Sequence, residues 1–170
     1  MESTSKSLIR NAELKDLPAI TEIYNQAIAA GKCTCDMDIL SVEERLPWFH
    51  SHDERTPIFV YEQDGDIVGY AYISPYRAGR KAVIDVCELS YYVDFNHHRQ
   101  GIGSALVKHC LAAAKANNYS HMLAILLSCN AASIAVLEGI GFKLWGSLPD
   151  IAKFYGEERY SHLYYGFPLS

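Results

Sequence analysis

The chain has 170 residues, 49% of them apolar and 21% charged, with a formal net charge of −5. That length and composition suit one ordinary buried core and exclude disordered and collagen-like chains. The acidic balance argues against a nucleic-acid binder that relies on overall charge, and no apolar run reaches the roughly 18 residues of a membrane span.

Residues 1–7 are polar, with no apolar stretch before a cleavage site, and are expected to form a flexible N-terminus ahead of a single domain over 8–170. Leu8-Ile9-Arg10 reads as a first strand. Asp16 is placed to cap a helix, with Pro18 in its first turn, Ile20, Ile23, Tyr24, Ala27 and Ile28 at helical spacing, and Gly31 as its stop. Ser41-Val42-Glu43-Glu44 has the pattern of a capping box, opening a second helix that Pro47 kinks or keeps short. Strands are expected over 57–62 and 67–74, joined at Asp64-Gly65.

A loop with Arg77, Arg80 and Lys81 leads to a long strand predicted over 83–93. Residues 94–103 are turn-rich, and 104–117 carry Leu106, Val107, Cys110, Leu111 and Ala114 on one helical face. A buried strand follows at 122–127, a helix at 132–140, a short strand at 143–145 and a closing strand at 160–167. No repeat or linker interrupts this order, which is that of one mixed α/β domain.

Cys33, Cys35, Cys87, Cys110 and Cys129 are odd in number and scattered, so reduced thiols in a cytoplasmic protein are expected rather than a disulfide framework. Cys33-Thr34-Cys35 lacks the spacer of a zinc knuckle and has no second pair. His50/His52 and His97/His98 read as loop histidines, so no metal is expected.

The most informative stretch runs from Tyr91-Tyr92-Val93 through His98-Arg99-Gln100-Gly101-Ile102-Gly103-Ser104. A strand enters a glycine loop and then a helix, so free N–H groups and the helix dipole meet a close-lying anion. Leu106 stands where a dinucleotide fingerprint needs its third glycine, and no Gly-Lys-Ser/Thr supports a Walker loop. By itself the loop also fits a plain tight turn.

Residues 98–103 resemble the central motif of the GNAT superfamily of N-acetyltransferases, Gln/Arg-x-x-Gly-x-Gly/Ala, with His98 at the first position. Downstream, residues 130–142, from Asn130 through Ser133 and Leu137 to Gly141-Phe142, resemble the family's Asn-x-x-Ala/Ser-x-x-x-Tyr-x-x-x-Gly-Phe. Residues 9–12, Asp16, 23–25 and 88–93 look like the phosphinothricin and methionine-sulfoximine acetyltransferases. The resemblance implies a GNAT fold with a mixed sheet of about six to seven strands and about four helices. It also implies acetyl-CoA as co-substrate, a small-molecule amine as acceptor and a homodimer.

On that resemblance, Arg99, Gln100, Gly101, Ile102, Gly103 and Ser104 hold the pyrophosphate, Tyr91, Tyr92 and Val93 the pantetheine arm, and Asn130 and Ser133 its other side. It also makes Glu88 the general base for direct transfer to an α-amino group. A carboxylate in a mostly apolar strand fits that role independently, because burial raises its pKa. A salt-bridged strand residue is the plain alternative, and Asp85 is the competing carboxylate. A backbone N–H near Val93 is expected to meet the oxyanion.

Leu137 replaces the acid that relatives carry there, leaving Tyr164, Tyr165 or water to protonate the departing thiolate. Arg77 and Arg80 are candidates for a substrate carboxylate, or form a solvated basic loop. Asp36, in an unusually polar 32–36 segment, is placed to meet a second amine. The Tyr-rich C-terminus reads as a packed strand and dimer surface. Competing functions are acetylation of a protein N-terminus or a polyamine, and a catalytically silent CoA-binding module.

Overall fold

A computed structural model describes residues 6–170, so the expectation for residues 1–5 lies outside the described residues. Ser7 already belongs to the first strand. The strands are β1 (Ser7–Asn11), β2 (Ile58–Gln63), β3 (Asp66–Pro75), β4 (Val86–Val93), β5 (His121–Leu127), β6 (Lys143–Lys153) and β7 (Arg159–Pro168). The helices are α1 (Leu17–Ala30), α2 (Val42–His50), α3 (Ile102–Ala116) and α4 (Ala131–Ile140).

All seven strands form one sheet in the order β1-β2-β3-β4-β5-β7-β6. Only β4 and β5 pair in parallel; every other neighbour is antiparallel. Helices α3 and α4 cover one face through Leu106, Val107, Cys110, Leu137 and Phe142, packed on Ala71, Ile73, Cys87 and Leu89. Ile20, Ile23, Tyr24 and Ile28 of α1 pack on Ile58, Val60 and Tyr70 on the other, with Trp48 and Phe49 of α2 beside them. This is the mixed α/β architecture expected from the element order.

Local chemistry explains the boundaries. Ser41 Oγ accepts from the Glu44 N–H at 3.2 Å while the Glu44 carboxylate accepts from the Ser41 N–H at 2.7 Å, the reciprocal box that starts α2. Asp64 and Gly65 both take positive φ, as the tight β2–β3 hairpin requires. Asp16 occupies the N-cap position of α1 as expected, but its side chain makes no capping bond to the helix. Its carboxylate accepts from the Glu13 N–H and from the Arg10 guanidinium, tying the end of β1 to the helix entry.

Two strands differ from expectation. β4 begins at Val86, because Lys81–Val83 forms a 3-10 turn and Asp85 lies in the turn after it. β6 runs to Lys153, well past Trp145. Gly146 and Pro149 fall inside it, and β6 is an edge strand, where register shifts and a missing N–H are tolerated. The Trp145 indole lies across Gly166 of β7, where a Cβ would sit 1.9 Å from the ring.

Candidate active site

The site originates in the sheet itself. β4 and β5 pair from Val86↔His121 to Leu89↔Ala124 and then separate, although β4 continues to Val93 and β5 to Leu127. Beyond Leu89, β4 is held on its other side by β3, as far as Gly69↔Val93. Its main-chain groups facing β5 therefore border a wedge rather than a strand. The His98 ring donates to the Val93 carbonyl at 3.1 Å, closing the wide end.

This wedge opens into a cleft of about 400 Å³ lined by Tyr91, Tyr92, Val93, Arg99, Gly101, Ile102, Gly103, Ser104, Asn130 and Ser133. Of the expected cofactor residues, Gln100 is the one the structure leaves out of it; that side chain is exposed. Arg99 and Gly101 have φ of 62° and 78°, so the chain doubles back before α3 begins. No side chain caps α3, which leaves its first N–H groups and positive dipole end free for an anion. A Cβ at Gly103 would stand 3.2 Å from the Tyr91 ring, so glycine lets α3 seat directly against β4. Across the cleft, Tyr91 donates to Ser133 Oγ at 3.0 Å and Asn130 Oδ1 caps α4 through the Ser133 N–H.

Glu88 lies beside Leu89, where the two strands part, on the opposite sheet face from Cys87 and Leu89. Burial raises its pKa, and no salt bridge or hydrogen bond to its carboxylate is present among the described residues. The salt-bridged alternative is thereby removed. Asp85 is outside β4 and is not a rival on that face.

Around Glu88 stands an aromatic wall that the sequence did not reveal. Tyr72 pairs across from Ser90, and Tyr70 from Tyr92. Burial first raises the Tyr72 pKa; a bond to Ser90 and the Arg45 charge lower it, while Glu88 and Asp36 raise it. Arg45, only 6% exposed, places its guanidinium 4.3 Å from the Tyr24 ring centre and 4.0 Å from that of Trp48. Its Nε has no partner among the described residues, and a terminal nitrogen donates to the Tyr70 hydroxyl at 3.4 Å. The only sequence signal was Arg45 and Trp48 at i, i+3 on one short helix.

Asp36 accepts from the Tyr24 hydroxyl, and its own N–H donates to Thr34 Oγ1 at 3.3 Å. Arg77 and Arg80 are exposed and outside the cleft, on the loop leaving β3 just after Ser74, which pairs with Glu88. Leu137 is 1% exposed in the core and offers no proton. Tyr165 is also buried, its hydroxyl donating to Glu138 at 2.9 Å, whereas Tyr164 pairs with Ile125 in the neighbouring register. Among the described residues, no group of three His, Cys, Asp or Glu is arranged to hold a metal ion.

A wedge of open strand edge, a free helix N-terminus and a half-buried unpaired carboxylate are the parts of an acyl-transfer site. The chain belongs to the acetyltransferase (GNAT) family, whose sequence profile matches residues 17–142. It is 30% identical over 151 residues to the L-methionine sulfoximine/L-methionine sulfone acetyltransferase of Salmonella typhimurium, covering 87% of this chain and 86% of that protein. An N-acetyltransferase structure from Staphylococcus aureus Mu50 superposes with a TM-score of 0.93 at 30% identity, covering 98% of this chain and all of the other. A phosphinothricin acetyltransferase from Sinorhizobium meliloti, solved with AcCoA, gives a TM-score of 0.88 at 27% identity, covering 96% and 89%.

The residues present fit such a thioester. The free N–H groups at the start of α3 suit an anion, and the unpaired main chain of β4 suits an amide-bearing arm.

Proposed function

We propose that this protein transfers the acetyl group of acetyl-CoA directly to the α-amino group of a small amino acid or analogue. The observation that carries the reading is Glu88, half-buried and unpaired at the vertex of the β4–β5 wedge. In this mechanism the N–H groups at the start of α3, with Arg99, hold the pyrophosphate. The main chain of Tyr91 to Val93, with Asn130 and Ser133, holds the arm. The co-substrate supplies an activated acetyl group. Glu88 takes the proton from the acceptor ammonium, directly or through one water, and leaves the nitrogen free to attack. A β4 N–H near Val93 meets the charge developing on the carbonyl oxygen. With Leu137 in the core and Tyr165 bound to Glu138, protonation of the departing sulfur falls to Tyr164 or to water.

The direct test is CoA-thiol release with a panel of methionine sulfoximine, phosphinothricin, methionine sulfone, common amino acids, polyamines and a short peptide. Turnover on the amino-acid analogues is the expected result. Release with only the polyamines or the peptide would move the acceptor to another class. Silence throughout, with acetyl-CoA still raising the melting temperature, would leave a binding module.

The exposed apolar side chains of β6, Leu144, Trp145, Leu148 and Ile151, support a homodimer joined through this edge of the sheet. Light scattering is expected to give twice the chain mass, and Leu148→Asp to lower it toward the monomer. The five free thiols support a reducing compartment such as the cytoplasm.

A further inference from the structure

We propose that the acceptor's side chain ends in a cation and that Asp36 is the residue that selects it. The inference rests on Glu88 receiving the α-amine and adds the far end of the substrate. On the α1 side of the sheet, the paired positions run Ser74/Glu88, Tyr72/Ser90, Tyr70/Tyr92. One step of two residues along a strand is about 7 Å. The Tyr72 phenol feels both Glu88 and Asp36, whereas the Glu88 carboxyl is raised by burial alone. Tyr24, which holds Asp36, packs on Tyr92, two such steps along β4 from Glu88, so the two acids belong to opposite ends of this row.

Asp36 is held in position by Tyr24 and Thr34, and no cation is paired with it among the described residues. Arg45, the one cation within the aromatic cluster among the described residues, is committed to the faces of Tyr24 and Trp48 and to the Tyr70 hydroxyl. Tyr24 meets Tyr92 edge to face at 5.1 Å, so the Asp36 carboxylate sits at the rim of a phenolic wall. A carboxylate beside aromatic rings is a receptor for an ammonium or guanidinium group.

The opposite end agrees. Arg77 and Arg80 leave β3 on the far side of the Ser74/Glu88 pair. Along the paired strands, the cation-bearing loop, the base, the phenols and the acid thus follow in that order. That order complements a carboxylate, an α-amine, an alkyl chain and a terminal cation, as in a dibasic amino acid.

The test compares kcat/KM for lysine and ornithine with norleucine, which keeps the lysine carbon chain without its ammonium, and with methionine sulfoximine. The wild type is expected to favour lysine or ornithine over norleucine by tenfold or more. Asp36→Asn keeps an acceptor for Tyr24 and is expected to collapse that ratio toward one, chiefly through KM for the dibasic substrate. Asp36→Glu is expected to restore part of it, separating lost charge from lost structure. Equal use of lysine and norleucine, or a ratio that survives Asp36→Asn, overturns the proposal. Activity retained in Glu88→Gln overturns the base while leaving the Asp36 ratio measurable. No turnover with any acceptor overturns both.

Discussion

Glu88→Gln is expected to lower kcat by about a hundredfold to ten-thousandfold, the usual range for loss of a positioned base. Glutamine fills the same space and cannot take a proton from an ammonium group. The α3 loop and the β4 edge are untouched, so acetyl-CoA is expected to raise the melting temperature of the variant as it does that of the wild type. The pH profile supplies a second readout. Burial raises the Glu88 pKa, and the base works only when deprotonated. The acid limb of kcat/KM should therefore lie above the ordinary carboxylate range, with activity falling as pH drops through it. That limb should be absent in the variant.

Stability moves the other way. A carboxyl whose folded pKa is raised favours folding below its unfolded pKa, and that contribution is lost as pH rises through the folded value. Above that folded value the wild type holds a half-buried charge that glutamine removes, and there the variant should melt no lower than the wild type. An acid limb that persists in Glu88→Gln would assign the titration to another group.

The second large effect is on stability. Phe142 is 1% exposed, follows the left-handed C-cap Gly141, and packs on Phe167 with ring centres 5.2 Å apart. Its N–H donates to the Leu137 carbonyl at 3.0 Å, so the residue closes α4 as well as filling the core. Phe142→Ala should cost about 3–5 kcal/mol, or roughly 10 °C in melting temperature for a domain of this size. Because α4 presents Asn130 and Ser133 to the cleft, acetyl-CoA affinity should weaken with it. Leu14→Ala, at a position 51% exposed, should leave the melt almost unchanged.

What the sequence disclosed divides along physical lines. The glycine loop, the Ser41 box and the Asp64-Gly65 hairpin were readable because each is a local device whose residues are adjacent in the chain. The extent of β6 was not, because an edge strand escapes the rules that make Gly146 and Pro149 look like ends. The start of β4 was misplaced because Val83 and Ile84 have strand character but are spent in turns.

The site divides similarly. Its donor end is backbone and one helix start, encoded in a single stretch. The proposed acceptor wall joins Tyr24, Arg45, Tyr72 and Asp36 from different elements, and only their packing reveals a common cluster. Asp36 and Glu88 are candidates that the sequence itself offers. The aromatic cluster and the buried arginine that hold this wall in shape are not.

The alternation along β4 has a consequence for how such an enzyme changes over generations. Cys87, Leu89 and Tyr91 turn toward α3, while Glu88, Ser90 and Tyr92 turn toward the tyrosine wall. If main chain holds the arm of the co-substrate, as proposed, its recognition is largely indifferent to which side chains the even-numbered positions carry. Substitutions at Ser90, at its neighbour Tyr72 or in the 33–36 loop can retune the acceptor while delivery of the acetyl group is preserved. New substrate ranges are then reachable one mutation at a time, through intermediates that still turn over.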